Sequence, residues 1–241
     1  MSSTVRDRCA AATGALYVVL VIVGNELYTR GTHQSAHPSG DQVLADARHI
    51  ASSSMAHVGF AMEGLGFVAL VAFLGYLGDV LIRRRREQVA SNVAAVIAMV
   101  AGITGVAIKL GSAVPTAALM FDHKTLSPEL AQLLNDMSTV GWVLSWLPFV
   151  IFVAAGGWAL HRCSLVGKPT AYVALVIGVV GIPLAVLGLE DLANLNPIAF
   201  LLGLLWTLVV SIRLAVRPGV VRASEPYDAT VSTGMPVGAA N

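Results

Sequence analysis

Two charged side chains stand where charge is expensive. Glu63 lies inside the apolar run 56–82, and Lys109 lies inside the apolar run 92–120. An ionisable group at the centre of a bilayer costs about 2.5–3.5 kcal/mol on insertion scales, so such groups pair, line water or do chemistry. At a rise of about 1.5 Å per residue, Glu63 is about 10 Å below the outer surface and Lys109 about 18 Å from the exit of its helix. Both fall in the outer half of the membrane or near its midplane. Each shares a helical face with small or polar residues: Glu63 with Gly59 and Gly66, Lys109 with Gly102, Gly105, Ser112 and Thr116. Small residues mark the side on which membrane helices approach one another. The expectation is that both charges face the bundle and form an ion pair. Glu26, at the outer end of the first run, or Asp191, after the fifth, would compete for Lys109. Asn25, Glu190 and Asn194 add polar groups on the same side, with Pro183 and Pro197 flanking the last two. Asp79 is different. It has Arg83 four residues on, a favourable local pair that needs no further role.

Other reactive residue types offer less. His33 and His37 are four apart, a spacing that suits a metal only on a helix. Gly31 and Pro38 flank them and argue for a solvated loop. His49 and His57 follow without a ligand pattern. The chain has no His-Glu-x-x-His, no P-loop and no Gly-x-Ser-x-Gly, so neither a metal nor a cofactor is implied. Cys9 and Cys163 have neither disulfide nor zinc spacing and are read as structural. With 15 basic and 14 acidic residues, no strong field recruits nucleic acid, and no basic patch is interleaved with aromatics.

The elements that must position these groups are membrane helices. Hydrophobic residues make up 56% of the 241 and charged residues only 12%, whereas soluble chains carry roughly 25% charged residues. A hydrocarbon core of about 30 Å needs about 20 apolar residues in helix. Six segments qualify: 10–28, 56–82, 92–120, 138–160, 170–189 and 197–216. The backbone must satisfy itself in lipid, so these are helices, and the fold class is an all-α polytopic bundle over 1–217. The third segment is long for one span and is expected to tilt or to kink at Pro115. Arg6 and Arg8 precede the first segment like a signal peptide, but no small-x-small cleavage site follows, so it reads as a retained signal anchor.

Lysine and arginine in the short loops set the orientation. Eleven lie on one side (Arg6, Arg8, Arg83, Arg84, Arg85, Arg86, Arg162, Lys168, Arg213, Arg217, Arg222) and three on the other (Arg30, Arg48, Lys124). Positive residues mark the cytoplasmic face, so both termini are expected inside the plasma membrane. The run Arg83–Arg86 is a topology anchor, with an anionic-lipid site as the sharper alternative. In the first outer loop, Val43, Leu44, Ala47 and Ile50 recur at helical spacing and predict a short interfacial helix within 40–54. In the second, Ser127-Pro128-Glu129 reads as a helix start, and Leu130, Leu133 and Leu134 predict a short helix on the outer surface. Trp142 and Trp146 open the fourth span and read as belt or packing residues. The tail 218–241, rich in Pro, Gly, Ser and Ala, predicts disorder.

The layout resembles a bacterial family of six-helix membrane proteins catalogued as domain of unknown function 4386. The residues that carry the likeness are Arg8 with Gly14 and Tyr17, Gly59-Phe60 at the start of the second span, the Arg-rich turn, the stretch Val89–Gly102, and Leu160-His161-Arg162. The likeness covers about Arg8–Arg217. It implies membrane location and no established activity, so it assigns no site residue.

Three classes of function remain open. The leading one is binding or passage of a small solute, ion or lipophilic ligand through an outward-facing polar cavity, with Glu63 and Lys109 orienting the ligand or relaying a proton. The second is a membrane-embedded enzyme, such as an isomerase or a terpenoid-type cyclase. Glu63 would be its general acid, with Asp191 or Glu26 as the partner base. The third is a scaffold or accessory protein.

Overall fold

A computed structural model describes residues 3–32, 38–84, 91–187 and 196–216. The chain is all-helical there, with seven helices: α1 (Ser3–Thr29), α2 (Gly40–Ser52), α3 (Ser54–Arg84), α4 (Ser91–Asp122), α5 (Pro128–Arg162), α6 (Lys168–Leu187) and α7 (Asn196–Val216). All but α2 are long and apolar enough to cross a membrane. Neighbours run α1–α3–α4–α5–α6–α7 and back to α1, and α5 also touches α7. The α1/α3 and α4/α5 pairs are the most extensive, whereas α3 meets α4 lightly.

The core is built from one stripe of each spanning helix. Tyr17, Phe73, Leu77, Phe152, Val153, Leu160, Leu204 and Val210 are fully buried within it. The opposite stripes are as apolar as the core. Val68 and Val71 of α3, Val100, Ile103 and Val114 of α4, Val176 and Val179 of α6, and Leu201 and Leu205 of α7 are all exposed. An apolar surface this extensive would aggregate in water, and a lipid environment explains it.

Small residues set the closest crossings. Gly157 and Gly178 of α5 and α6 lie against Ala174 and Ala154 of the facing helix, with no room for a larger side chain. A hydroxyl ties the first spanning helix to the last. Ser211 Oγ of α7 donates to the Ala11 carbonyl (2.5 Å) and accepts from the Ala15 amide (2.8 Å) of α1. Trp206 Nε1 of α7 donates to the Thr170 carbonyl of α6 at 3.1 Å.

Several boundaries move outward from the sequence expectation. Helix α1 begins at Ser3 rather than residue 10, so Arg6 and Arg8 lie on it. The hydropathy run ends where the hydrocarbon would, but the helical hydrogen bonds continue into a polar layer. α4 stays one helix through Pro115. The expectation of a separate short helix after Ser127 is corrected. Ser127 does cap, its Oγ accepting from the Leu130 amide at 3.3 Å, and Pro128 fills the first turn. The helix then runs without a break to Arg162, because nothing between the Leu stripe and the span, 135–138, interrupts it.

The short outer helix forms over Gly40–Ser52, with Ser39 and Gln42 in a reciprocal capping box. Its Val43, Leu44 and Ala47 pack on Leu119 of α4 and Ala131 of α5, while Ile50 meets Ala56 and Met120. It therefore lies on the ends of α3, α4 and α5 rather than alone in the interface. The stretch 33–37, with His33 and His37, residues 85–90, and the tail from 217 lie outside the described residues.

Candidate functional site

Glu63 is placed by a close backbone-to-backbone crossing of α1 and α3. Helix α1 lies against α3 at Gly24 and Gly59, and a methyl on Gly24 would sit 2.9 Å from the Glu63 amide nitrogen. Gly66, one turn on, lies under Val21 and Leu20 of α1. The absence of side chains at these three positions lets α1 bury the stripe from which the Glu63 side chain leaves.

Lys109 is placed in the same manner by α5. Gly105 of α4 faces the backbone of Ser145 and Phe149, and Ser112 is buried against Gly141. Thr116 and Ser138 share a hydrogen bond of 2.6 Å between hydroxyls across the two helices. This polar seam turns Lys109 towards the interior.

The two charges meet. Lys109 Nζ lies 2.9 Å from Glu63 Oε1, with the side chains only 15% and 11% exposed. Oε1 has no further hydrogen-bond partner among the described residues, so the contact with Lys109 is an ion pair held chiefly by charge. The other side of the ammonium is closed by π-faces. Nζ stands 3.6 Å from the centroid of Trp142 and 6.0 Å from that of Phe67. An aromatic face attracts a desolvated cation by up to about 2 kcal/mol, so Trp142 is a second counter-charge for Lys109.

Trp142 is itself held by aromatics. Phe200 of α7 sits edge-on to it at 5.3 Å and stacks on Trp146 at 5.5 Å. Phe149 and Tyr17 continue the cluster towards Phe67. Five of the six spanning helices thus contribute a side chain: Tyr17 from α1, Glu63 and Phe67 from α3, Lys109 from α4, Trp142 and Trp146 from α5, and Phe200 from α7. Trp146 Nε1 is buried without a hydrogen-bond partner among the described residues.

Searches against family models, curated proteins and solved structures return no match. The site therefore stands on its own geometry.

Other candidate residues from the sequence are not gathered here. Glu26 and Asn25 are exposed on the far side of α1. No ion pair joins Glu26 to Lys109, which corrects the expectation that it competes for the ammonium. Position 26 is three residues past Val23, on the outward stripe of α1 with Ile22 and Val19. Ser112 is close to Lys109, but its hydroxyl donates to the Lys109 carbonyl at 2.8 Å and so serves the helix. Glu190, Asp191 and Asn194 lie outside the described residues. Asp79 and Arg83 form the expected i,i+4 pair at 2.8 Å, far exposed. His49 bonds the Arg30 carbonyl and His57 the Ser53 carbonyl. No group of three His, Cys, Asp or Glu suited to a metal occurs among the described residues.

Trp142 and Phe67 were missed as partners of the charge. A signal was present: Trp142 shares a helical face with Ser138, Ser145 and Phe149, the small-and-polar face that packs on α4.

Proposed function

We propose that this is a multi-pass protein of a bacterial plasma membrane, with both termini cytoplasmic. On this reading it belongs with the six-helix family it resembles, and it binds or passes a small solute, ion or lipophilic ligand at the Glu63–Lys109–Trp142 cluster. The observation that carries the reading is the cluster itself. A charged pair sunk between helices and backed by an indole face is costly as mere packing, and apolar residues of the same volume would often stabilise the fold as well or better.

Several features support an opening to the outside. Glu63 is nine residues from the start of α3, the end on which α2 lies. The basic residues Arg6, Arg8, Arg162, Lys168 and Arg213 all fall at the opposite ends of their helices. The side chains of the pair keep a small exposure. An enzymatic role has less behind it. The Glu63 carboxylate is engaged with an ammonium, and Glu26, one of its two candidate partner bases, faces away.

The test is accessibility. With Cys9 and Cys163 replaced, K109C, alone and with E63Q to remove the second charge, is exposed to a membrane-impermeant thiol reagent in right-side-out and inverted vesicles. Labelling from the outside only is the expected result. Labelling from the inside only, or from neither side in a folded protein, overturns the reading. Native Cys9, exposed on α1, is expected to label only in inverted vesicles.

A further inference from the structure

The three groups that close on the Lys109 ammonium each recognise positive charge. Glu63 supplies a carboxylate at 2.9 Å, Trp142 an indole face at 3.6 Å and Phe67 a phenyl ring at 6.0 Å. A carboxylate beside aromatic faces is the chemistry that binds alkylammonium ions. Among the described residues Lys109 is the single basic residue in this corner, and it is on a long, flexible stem.

We propose that the Glu63–Trp142–Phe67 corner is a binding site for a small organic cation of the alkylammonium class, and that the Lys109 ammonium occupies it as a tethered stand-in. Guest and lysine are mutually exclusive, because one carboxylate balances one positive charge. This deepens the ligand-binding reading above and rests on it.

The surroundings argue against other ligand classes. An anion drawn to Lys109 would meet the Glu63 carboxylate and the electron-rich ring faces at once. A hard metal ion needs several oxygen donors, and the corner offers one carboxylate and two rings. A weakly hydrated cation carrying methyl groups leaves water cheaply and covers both rings. Beside Trp142, with ring centroids 5.5 Å apart, Trp146 carries a buried Nε1 without a hydrogen-bond partner among the described residues.

The experiment uses the full chain in lipid nanodiscs and titration calorimetry with choline, its neutral isostere 3,3-dimethylbutan-1-ol, and acetate. Choline is expected to bind the native protein saturably, and the isostere and acetate are not. Removing the competitor in K109M is expected to tighten choline at least about tenfold, as when an occluded state is eliminated. E63Q is expected to abolish binding, and W142L, which keeps the ion pair, to weaken it about 3- to 10-fold.

Choline binding that is no tighter in K109M than in the native protein overturns the proposal. So does equal binding of the isostere, or acetate binding that K109M abolishes. If K109M does not fold, W142L decides: undiminished affinity for choline sinks the idea. Outside labelling of K109C with no choline binding in any variant ends the cation assignment alone. Absence of that labelling ends the broader reading with it.

Discussion

Gly24 of α1 and Gly59 of α3 meet backbone to backbone: a methyl group built on Gly59 would lie 2.6 Å from the Gly24 carbonyl oxygen, and one built on Gly24 would lie 2.8 Å from the Gly59 carbonyl oxygen. Neither helix can yield without opening the crossing that sets Glu63. Gly59→Ala is therefore expected to destabilise by about 1–3 kcal/mol, the range for overpacking a close-packed contact. Gly75→Ala, on the same helix with nothing within 4 Å, should instead gain about 0.5–1 kcal/mol from helix propensity. Thermal unfolding in detergent reads both. Equal shifts in the two variants would show that the crossing is looser than described.

The ion pair predicts strong non-additivity. Lys109→Met alone leaves a carboxylate buried at 8% residue exposure, and breaking a buried pair from one side costs about 3–5 kcal/mol. Glu63→Gln with Lys109→Met removes both charges and should recover most of that loss. Folded yield and melting temperature of the two single variants and the double variant give the coupling. Losses that simply add would mean the two side chains do not sense each other.

Ser211→Ala removes a hydroxyl that stands between the Ala11 carbonyl and the Ala15 amide of α1. Hydrogen bonds between membrane helices average about 0.6 kcal/mol with a maximum of about 1.7. A loss near the upper end is expected here, because both ends of the hydroxyl are used inside the protein. Hydrogen exchange at the Ala15 amide is the local readout, and it should quicken. Unchanged exchange with unchanged stability would contradict the described geometry.

Leu44→Ser places a hydroxyl in the small cluster of Val43, Ala47, Leu119 and Ala131 that holds α2 down. Truncating a buried leucine typically costs about 2–5 kcal/mol. The cluster lies at the outer ends of α4 and α5, apart from the main core, so the expected outcome is local. Exchange protection over 40–52 should fall while the spanning helices keep theirs. A uniform fall across the protein would show that α2 is integral to the bundle.

Much of this protein was legible in its residues. The six spans follow from apolar length, because hydrocarbon accepts only a backbone that satisfies itself. The amphipathic period of Val43, Leu44, Ala47 and Ile50 gave α2 its buried face in advance. The expense of burying Glu63 and Lys109 named both as inward-facing, and the small residues around them named the faces. The ends of helices were less legible. Hydropathy marks where lipid stops and not where hydrogen bonding stops, hence the early start of α1 and the unbroken α5.

What only the tertiary structure decided is which groups meet the charge. Local spacing can say that Glu26, Glu63 and Lys109 all lie towards the outer side, but it cannot rotate α1 against α3. The Gly24–Gly59 crossing does that, and it turns Glu26 outward while Glu63 stays in. Trp142 and Phe200 are 58 positions apart in the chain, and their rings meet because α5 and α7 pack together. Depth is a one-dimensional property that a sequence carries along its length. Azimuth around the bundle arises only when side chains from separate helices compete for the same volume.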